Sequence, residues 1–128
     1  MFFTKSAIYL EVYEGKVKAT ELHSDRSTES ACSGLNHQRS LMGDFFSVEK
    51  CFKETLSQLC PKKLLNTPPI LYIHLFGKNE GGYTNVEVRA FTEAGMGAGA
   101  RAVKLIDSKN IINKELLLKG QFSELKGV

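Results

Sequence analysis

Ile70-Leu71-Tyr72-Ile73-His74-Leu75-Phe76 is the stretch that decides the fold. The run is almost wholly apolar, partly β-branched or aromatic, and short. Pro68-Pro69 prevents helix on one side and Gly77 bounds it on the other. These features predict a strand buried on both faces, as in the interior of a sheet with parallel strands. Its one polar residue, His74, admits two readings: a ligand or base, or a core histidine bonded to a neighbour. The second is favoured, because no chemical partner is visible in the sequence around it.

Upstream, Phe45, Val48, Phe52, Leu56 and Leu59 recur at spacings of three and four, the stripe of an amphipathic helix. Phe46 is expected to broaden the stripe. Asp44 stands at the N-cap position and Pro61 ends the helix. Nearer the start, residues 7–14 alternate: Ile8, Leu10 and Val12 point one way, Tyr9, Glu11 and Tyr13 the other. Period two predicts a strand. Glu14-Gly15-Lys16 then makes a turn, and Lys16 to Leu22 forms the second arm of a hairpin. Residues 23–43 are rich in Ser, Asn, Asp and Gly, with room for a short third strand near Thr28–Cys32.

Downstream, Gly77 to Tyr83 reads as a loop. Thr84-Asn85-Val86-Glu87 is a capping box that opens a helix through Val86, Ala90, Phe91 and Ala94. Gly95-Met96-Gly97-Ala98-Gly99 ends that helix, and residues 102–106 form another short strand. Ile111, Ile112, Leu116, Leu117, Leu118, Phe122 and Leu125 predict a final helix within 109–125. The order β-β-β-α-β-α-β-α implies a mixed sheet whose later strands run parallel to the first.

The chain has 128 residues, the length of one domain. No apolar run approaches the ~20 residues needed to cross a bilayer. The first residues lack a signal-peptide pattern, and a cytoplasmic location is expected. The net charge of +3 is spread along the chain, with Lys62-Lys63 the nearest thing to a basic patch, so no nucleic-acid partner is expected. The three cysteines, Cys32, Cys51 and Cys60, are an odd number with no Cys-x-x-Cys. That argues against a disulfide framework and for a reducing compartment, with Cys51 and Cys60 as small buried hydrophobes on a helix. His23, His37 and His74 are too scattered to make a zinc motif. The glycines at 95–99 follow a helix and precede a strand, the reverse of a phosphate-binding loop. Asn79-Glu80-Gly81-Gly82 is better placed but lacks the Lys-Ser/Thr of a P-loop. Glu11 and Asp107 are the only acids at strand ends that could share a divalent metal.

Several stretches together resemble the bacterial actin-like, rod-shape-determining MreB family. Gly43-Asp44-Phe45-Phe46-Ser47-Val48-Glu49-Lys50 is similar to the start of that family's first long helix. Val86-Glu87-Val88-Arg89-Ala90 resembles the helix after its fourth strand. Gly97-Ala98-Gly99-Ala100-Arg101-Ala102-Val103-Lys104-Leu105-Ile106-Asp107 resembles the turn and fifth strand that follow. The chain also resembles the small YjaA-like proteins of enterobacteria, which share the Asn79-Glu80-Gly81-Gly82 loop type and bring no known activity. The MreB resemblance implies one ribonuclease H-like, actin-like subdomain over 1–128: a five-stranded sheet in the order 3-2-1-4-5 with helices on both faces.

The family's phosphate and catalytic positions are degenerate here. Tyr9 stands where the family has the Asp that orders magnesium. Glu11 replaces a Gly whose backbone approaches phosphate, and Asp107 replaces the Glu that activates water. The expectation is a non-catalytic subdomain without a cofactor. It would act through protein contacts, with an actin-like filament protein as the natural partner and cell shape or a stress response as the setting. Phe2, Phe3, Tyr9 and Tyr13 are candidates for the contact surface, or else close the sheet's own core. The alternative is a metal-dependent enzyme on a ribonuclease H-like sheet, using Glu11 and Asp107.

Overall fold

A computed structural model describes residues 6–37, 40–59, 68–77 and 81–127. Five strands form one mixed sheet: β1 (Ala7–Tyr13), β2 (Lys16–Glu21), β3 (Ser27–Ala31), β4 (Ile70–Leu75) and β5 (Ala102–Leu105). Their order is β3-β2-β1-β4-β5. β1 pairs antiparallel with β2 and parallel with β4, and β4 pairs parallel with β5. Three helices accompany them: α1 (Phe45–Leu59), α2 (Asn85–Gly97) and α3 (Lys114–Leu118). A 3-10 turn at Ser33–Leu35 precedes α1.

The hairpin forms as its spacing predicts. Tyr13 faces Lys16 across a two-residue loop. Gly15 takes φ +77°, a conformation that costs glycine little and other residues more. β1 lies in the middle of the sheet, so both of its faces are covered. Ile8, Leu10 and Val12 join Leu71, Ile73 and Leu75 of β4 in the larger core, with Val48, Phe52 and Leu56 of α1 and Phe91 and Ala94 of α2. The Phe52 and Phe91 rings stack at 6.3 Å where the two helices meet. On the opposite face a smaller cluster holds Ala7, Tyr9, Leu22, Tyr72, Ile106 and Leu117 of α3. The helices therefore lie on both faces of the sheet.

Local signals set the ends of α2. Thr84 Oγ1 accepts the Glu87 N–H at 3.1 Å, and the Glu87 carboxylate accepts the Thr84 N–H at 3.4 Å. This is the capping box read from the sequence. Gly95 lies inside the last turn of the helix. A Cβ there would sit 2.7 Å from Val103 Cγ2, so the glycine lets α2 press against the sheet.

Several expectations fail. Phe46 is 78% exposed and Val86 73% exposed, so neither joins the core. The helical period explains both. At 100° per residue Phe46 lies about 200° from Val48, and Val86 about 140° from Phe91. Phe45 and Val88, at about 60° from those anchors, pack against the core instead. The final helix is five residues rather than seventeen. Asn113 caps it through the Glu115 N–H at 2.7 Å, and Gly120 at φ +72° follows its end. Beyond it the chain is extended: Glu124 bridges Ile106, and the Leu125 N–H bonds the Leu105 carbonyl.

The cysteine reading also fails. Cys32 and Cys51 are joined as a disulfide, with Cα atoms 6.0 Å apart. Cys32 directly follows β3, and Cys51 is on the α1 face that packs against β3. Tertiary packing thus brings together two residues that no local spacing pairs. Cys51 is therefore not a free core cysteine, while Cys60, Pro61 and Lys62-Lys63 lie outside the described residues. Among the described residues no helix is long and apolar enough to cross a membrane.

Candidate functional site

The candidate site is a polar and aromatic strip on the α3 side of the sheet, at the carboxyl ends of the parallel strands β1 and β4. Crevices outside such strand ends are where open α/β sheets bind ligands. Parallel pairing sets Glu11 beside His74 and Tyr9 beside Tyr72. The alternation of each strand then turns Tyr9, Glu11 and Tyr13 to the same face as Tyr72 and His74.

His74 is fully buried. Its Nε2 lies 2.7 Å from the Ser108 carbonyl oxygen, which only accepts, so Nε2 carries the proton. Nδ1 of the neutral ring is then an acceptor, and the Tyr9 hydroxyl donates to it at 2.6 Å. The same hydroxyl oxygen accepts the Ile112 N–H at 3.3 Å. A directional chain results, from Ile112 through Tyr9 and His74 to Ser108, in which every buried ring nitrogen has a partner. Burial pushes the His74 imidazole below its ordinary value, against the opposing pull of the Ser108 carbonyl and the Glu11 charge. Burial also raises the Tyr9 phenol to about 12, helped by the Glu11 charge and opposed by the Ile112 bond. A neutral histidine and a neutral tyrosine are the forms this chain of bonds requires.

Glu11, 7% exposed, receives the Tyr13 hydroxyl at 2.5 Å. Burial and that bond push the Tyr13 phenol well up. Tyr13 stacks on Phe76 at 5.3 Å, Phe76 lies 4.0 Å from the His74 ring, and the Lys16 ammonium stands 5.2 Å above the Tyr13 ring. The strip thus continues from the buried histidine to the hairpin turn as a column of rings.

The remaining site residues fall as follows. Tyr9 is 5% exposed and sits in the smaller core, so it closes the sheet and offers no contact surface. Tyr13 is half-buried. Phe2, Phe3, Asn79 and Glu80 lie outside the described residues. Asp107 is exposed and lines an open cleft of about 350 Å³ with Tyr83, Ser108, Lys109 and Lys126. Glu11 is on β1, whereas Asp107 follows the end of β5, with β4 between those two strands in the sheet. Among the described residues no group of three or more His, Cys, Asp or Glu side chains could hold a metal ion. The sequence did not reveal Tyr9 and Ser108 as partners of His74, since they are 65 and 34 positions away. The only signal was a lone histidine in an apolar strand.

No protein-family model matches the chain, and no curated protein matches it.

Proposed function

We propose that this chain is a non-catalytic subdomain of the ribonuclease H-like, actin-like type, similar to one half of an MreB-like protein, and that it acts by binding another protein. One observation carries the reading. The sheet face at the ends of β1 and β4 is filled by the Tyr9–His74–Ser108 chain, whose donors and acceptors satisfy one another. A phosphate approaching β1 there would meet the Tyr9 ring and the Glu11 carboxylate, one a steric obstacle and the other a repulsive charge. The strand order and the placement of helices on both faces are consistent with the subdomain type. An actin-like filament protein is the proposed partner, in the cytoplasm.

Two measurements test this. Titration calorimetry with Mg-ATP should show no binding in the micromolar range, and ATP turnover should not rise above buffer. Co-sedimentation with polymerised MreB-type filaments should carry the protein into the pellet in a saturable manner. Micromolar nucleotide binding would overturn the non-catalytic part, and absence of co-sedimentation the partner.

A further inference from the structure

Cys32 and Cys51 close a segment that contains the 3-10 turn, the approach to α1 and the first turns of that helix. The two sulfur-bearing residues differ in access. Cys32 is 2% exposed and belongs to the larger core. Cys51 is half-buried and only packs against it. Thiol–disulfide exchange needs a thiolate to reach one sulfur and displace the other. Cys51 is the sulfur such a thiolate can reach, which makes Cys32 the leaving group.

We infer that the Cys32–Cys51 bond is a reversible thiol-exchange site, attacked at Cys51 by an external thiol of the glutathione class. In the first step the thiolate forms a bond to Cys51 Sγ and the Cys32–Cys51 bond breaks. Cys32 leaves with the electron pair and takes up the proton that the incoming thiol gave up. A second thiol attacks the small-molecule sulfur of the mixed disulfide, which releases Cys51 as a thiol and the two small thiols as their own disulfide. The protein gains two electrons and two protons, and two thiols are oxidised.

Two features suit the reduced form. The Ala31 carbonyl oxygen lies 3.6 Å from Cys51 Sγ, so the thiol has an acceptor already in place. The closed segment has anchors independent of the bond: Leu35, Leu41 and Val48 are fully buried, and the Gly43 and Asp44 N–H groups both donate to the Gly34 carbonyl. Reduction therefore leaves the fold intact. Loop-closure entropy for a segment of this length favours global unfolding of the dithiol on the order of 100-fold, relative to the disulfide form.

The test uses the oxidised protein with Cys60→Ser, so that the third cysteine cannot react. It is equilibrated in glutathione buffers of graded ratio, quenched by alkylation, and mapped by peptide mass spectrometry. The expected products are the Cys32–Cys51 disulfide, a mixed disulfide on Cys51, and the dithiol, interconverting without denaturant. Amides that exchange only through global unfolding should exchange on the order of 100-fold faster in the dithiol. As a second arm, Cys51 in Cys32→Ser should react with an aromatic disulfide reagent at least about ten-fold faster than Cys32 in Cys51→Ser. A bond that never forms, that yields only in urea, or that gives equal mixed disulfide at the two cysteines overturns the inference. So do equal reaction rates in the two single variants.

Discussion

Tyr9→Phe removes one oxygen atom and leaves the ring in place. That oxygen gives its proton to His74 Nδ1 and receives the Ile112 N–H. The imidazole is fully buried, so its Nδ1 lone pair loses its partner without gaining water. An unsatisfied buried acceptor costs about 1–3 kcal/mol. Ile112 is half-buried, and water can replace its lost bond at a cost of a few tenths of a kcal/mol to about 1 kcal/mol. The expected loss is about 2 kcal/mol. With a urea m-value of about 2 kcal/mol per molar, the unfolding midpoint should fall by about 1 M. Far-UV circular dichroism on the oxidised protein at pH 8 reads this directly. Combining the change with His74→Phe isolates the pair. In that background the tyrosine substitution should cost less, by an interaction energy of about 1 kcal/mol or more. The His74 imidazole should also titrate at higher pH in Tyr9→Phe, since the neutral ring has lost the donor that favours it. A midpoint shift below about 0.2 M, or strict additivity of the two substitutions, would refute the buried-chain argument.

Gly95→Ala gains about 1 kcal/mol of helix propensity but drives a methyl to 2.7 Å from Val103 Cγ2. Overpacking of about 1–3 kcal/mol should prevail, seen as a lowered urea midpoint. Thr84→Ala should cost about 1 kcal/mol in the same assay and raise amide exchange in the first turn of α2. Replacing both Cys32 and Cys51 by Ala should cost about 3 kcal/mol from loop-closure entropy, against the oxidised parent. The histidine and tyrosine predict opposite flanks of a pH–stability profile. His74 is depressed on folding, so its contribution is present above about pH 6.5 and is lost as pH falls toward the lower folded value. Tyr9 is raised from 10.0 to about 12, so its contribution is present below pH 10 and is lost as pH rises through about 12. Urea midpoints across pH should show both flanks, and the alkaline one should shrink in Tyr9→Phe.

The sheet was legible because its signals are local. Alternation in residues 7–14, the glycine turn, and the Pro-bounded run at 70–76 each name a strand without reference to anything distant. The capping box did the same for α2. The last segment misled because residues 111–125 are apolar without a consistent helical period, and Gly120 interrupts them. Phe46 and Val86 misled because apolar character alone does not say which way a residue faces. The order 3-2-1-4-5 came from a resemblance, and the sheet has that order. The site was half legible. His74 could be read as a bonded core residue, but its partners come from β1 and from the turn after β5, which only the folded chain brings together. The disulfide was invisible for the same reason, since Cys32 and Cys51 meet through the packing of α1 on β3.

The two faces of the sheet are covered unequally. Two long helices and a continuous apolar core cover one. A five-residue helix and extended chain cover the other, with Leu117 and Ile106 as its deepest contributions. Opening free energies follow such differences in burial. The segment from Asp107 to Leu125 should therefore detach as a cooperative unit at lower free energy than the sheet with α1 and α2. Its polar ties to that body are the bonds from Ile112 to Tyr9, from His74 to Ser108 and from Leu125 to the Leu105 carbonyl, with the Lys114–Asp25 and Lys104–Glu124 ion pairs. Protonation of His74 would turn Nδ1 into a donor facing the Tyr9 hydroxyl and disturb the bond beneath that segment. Mild acid should then lift the C-terminal cover first, so that the protein enters acid unfolding through a partly open state with its larger core still formed.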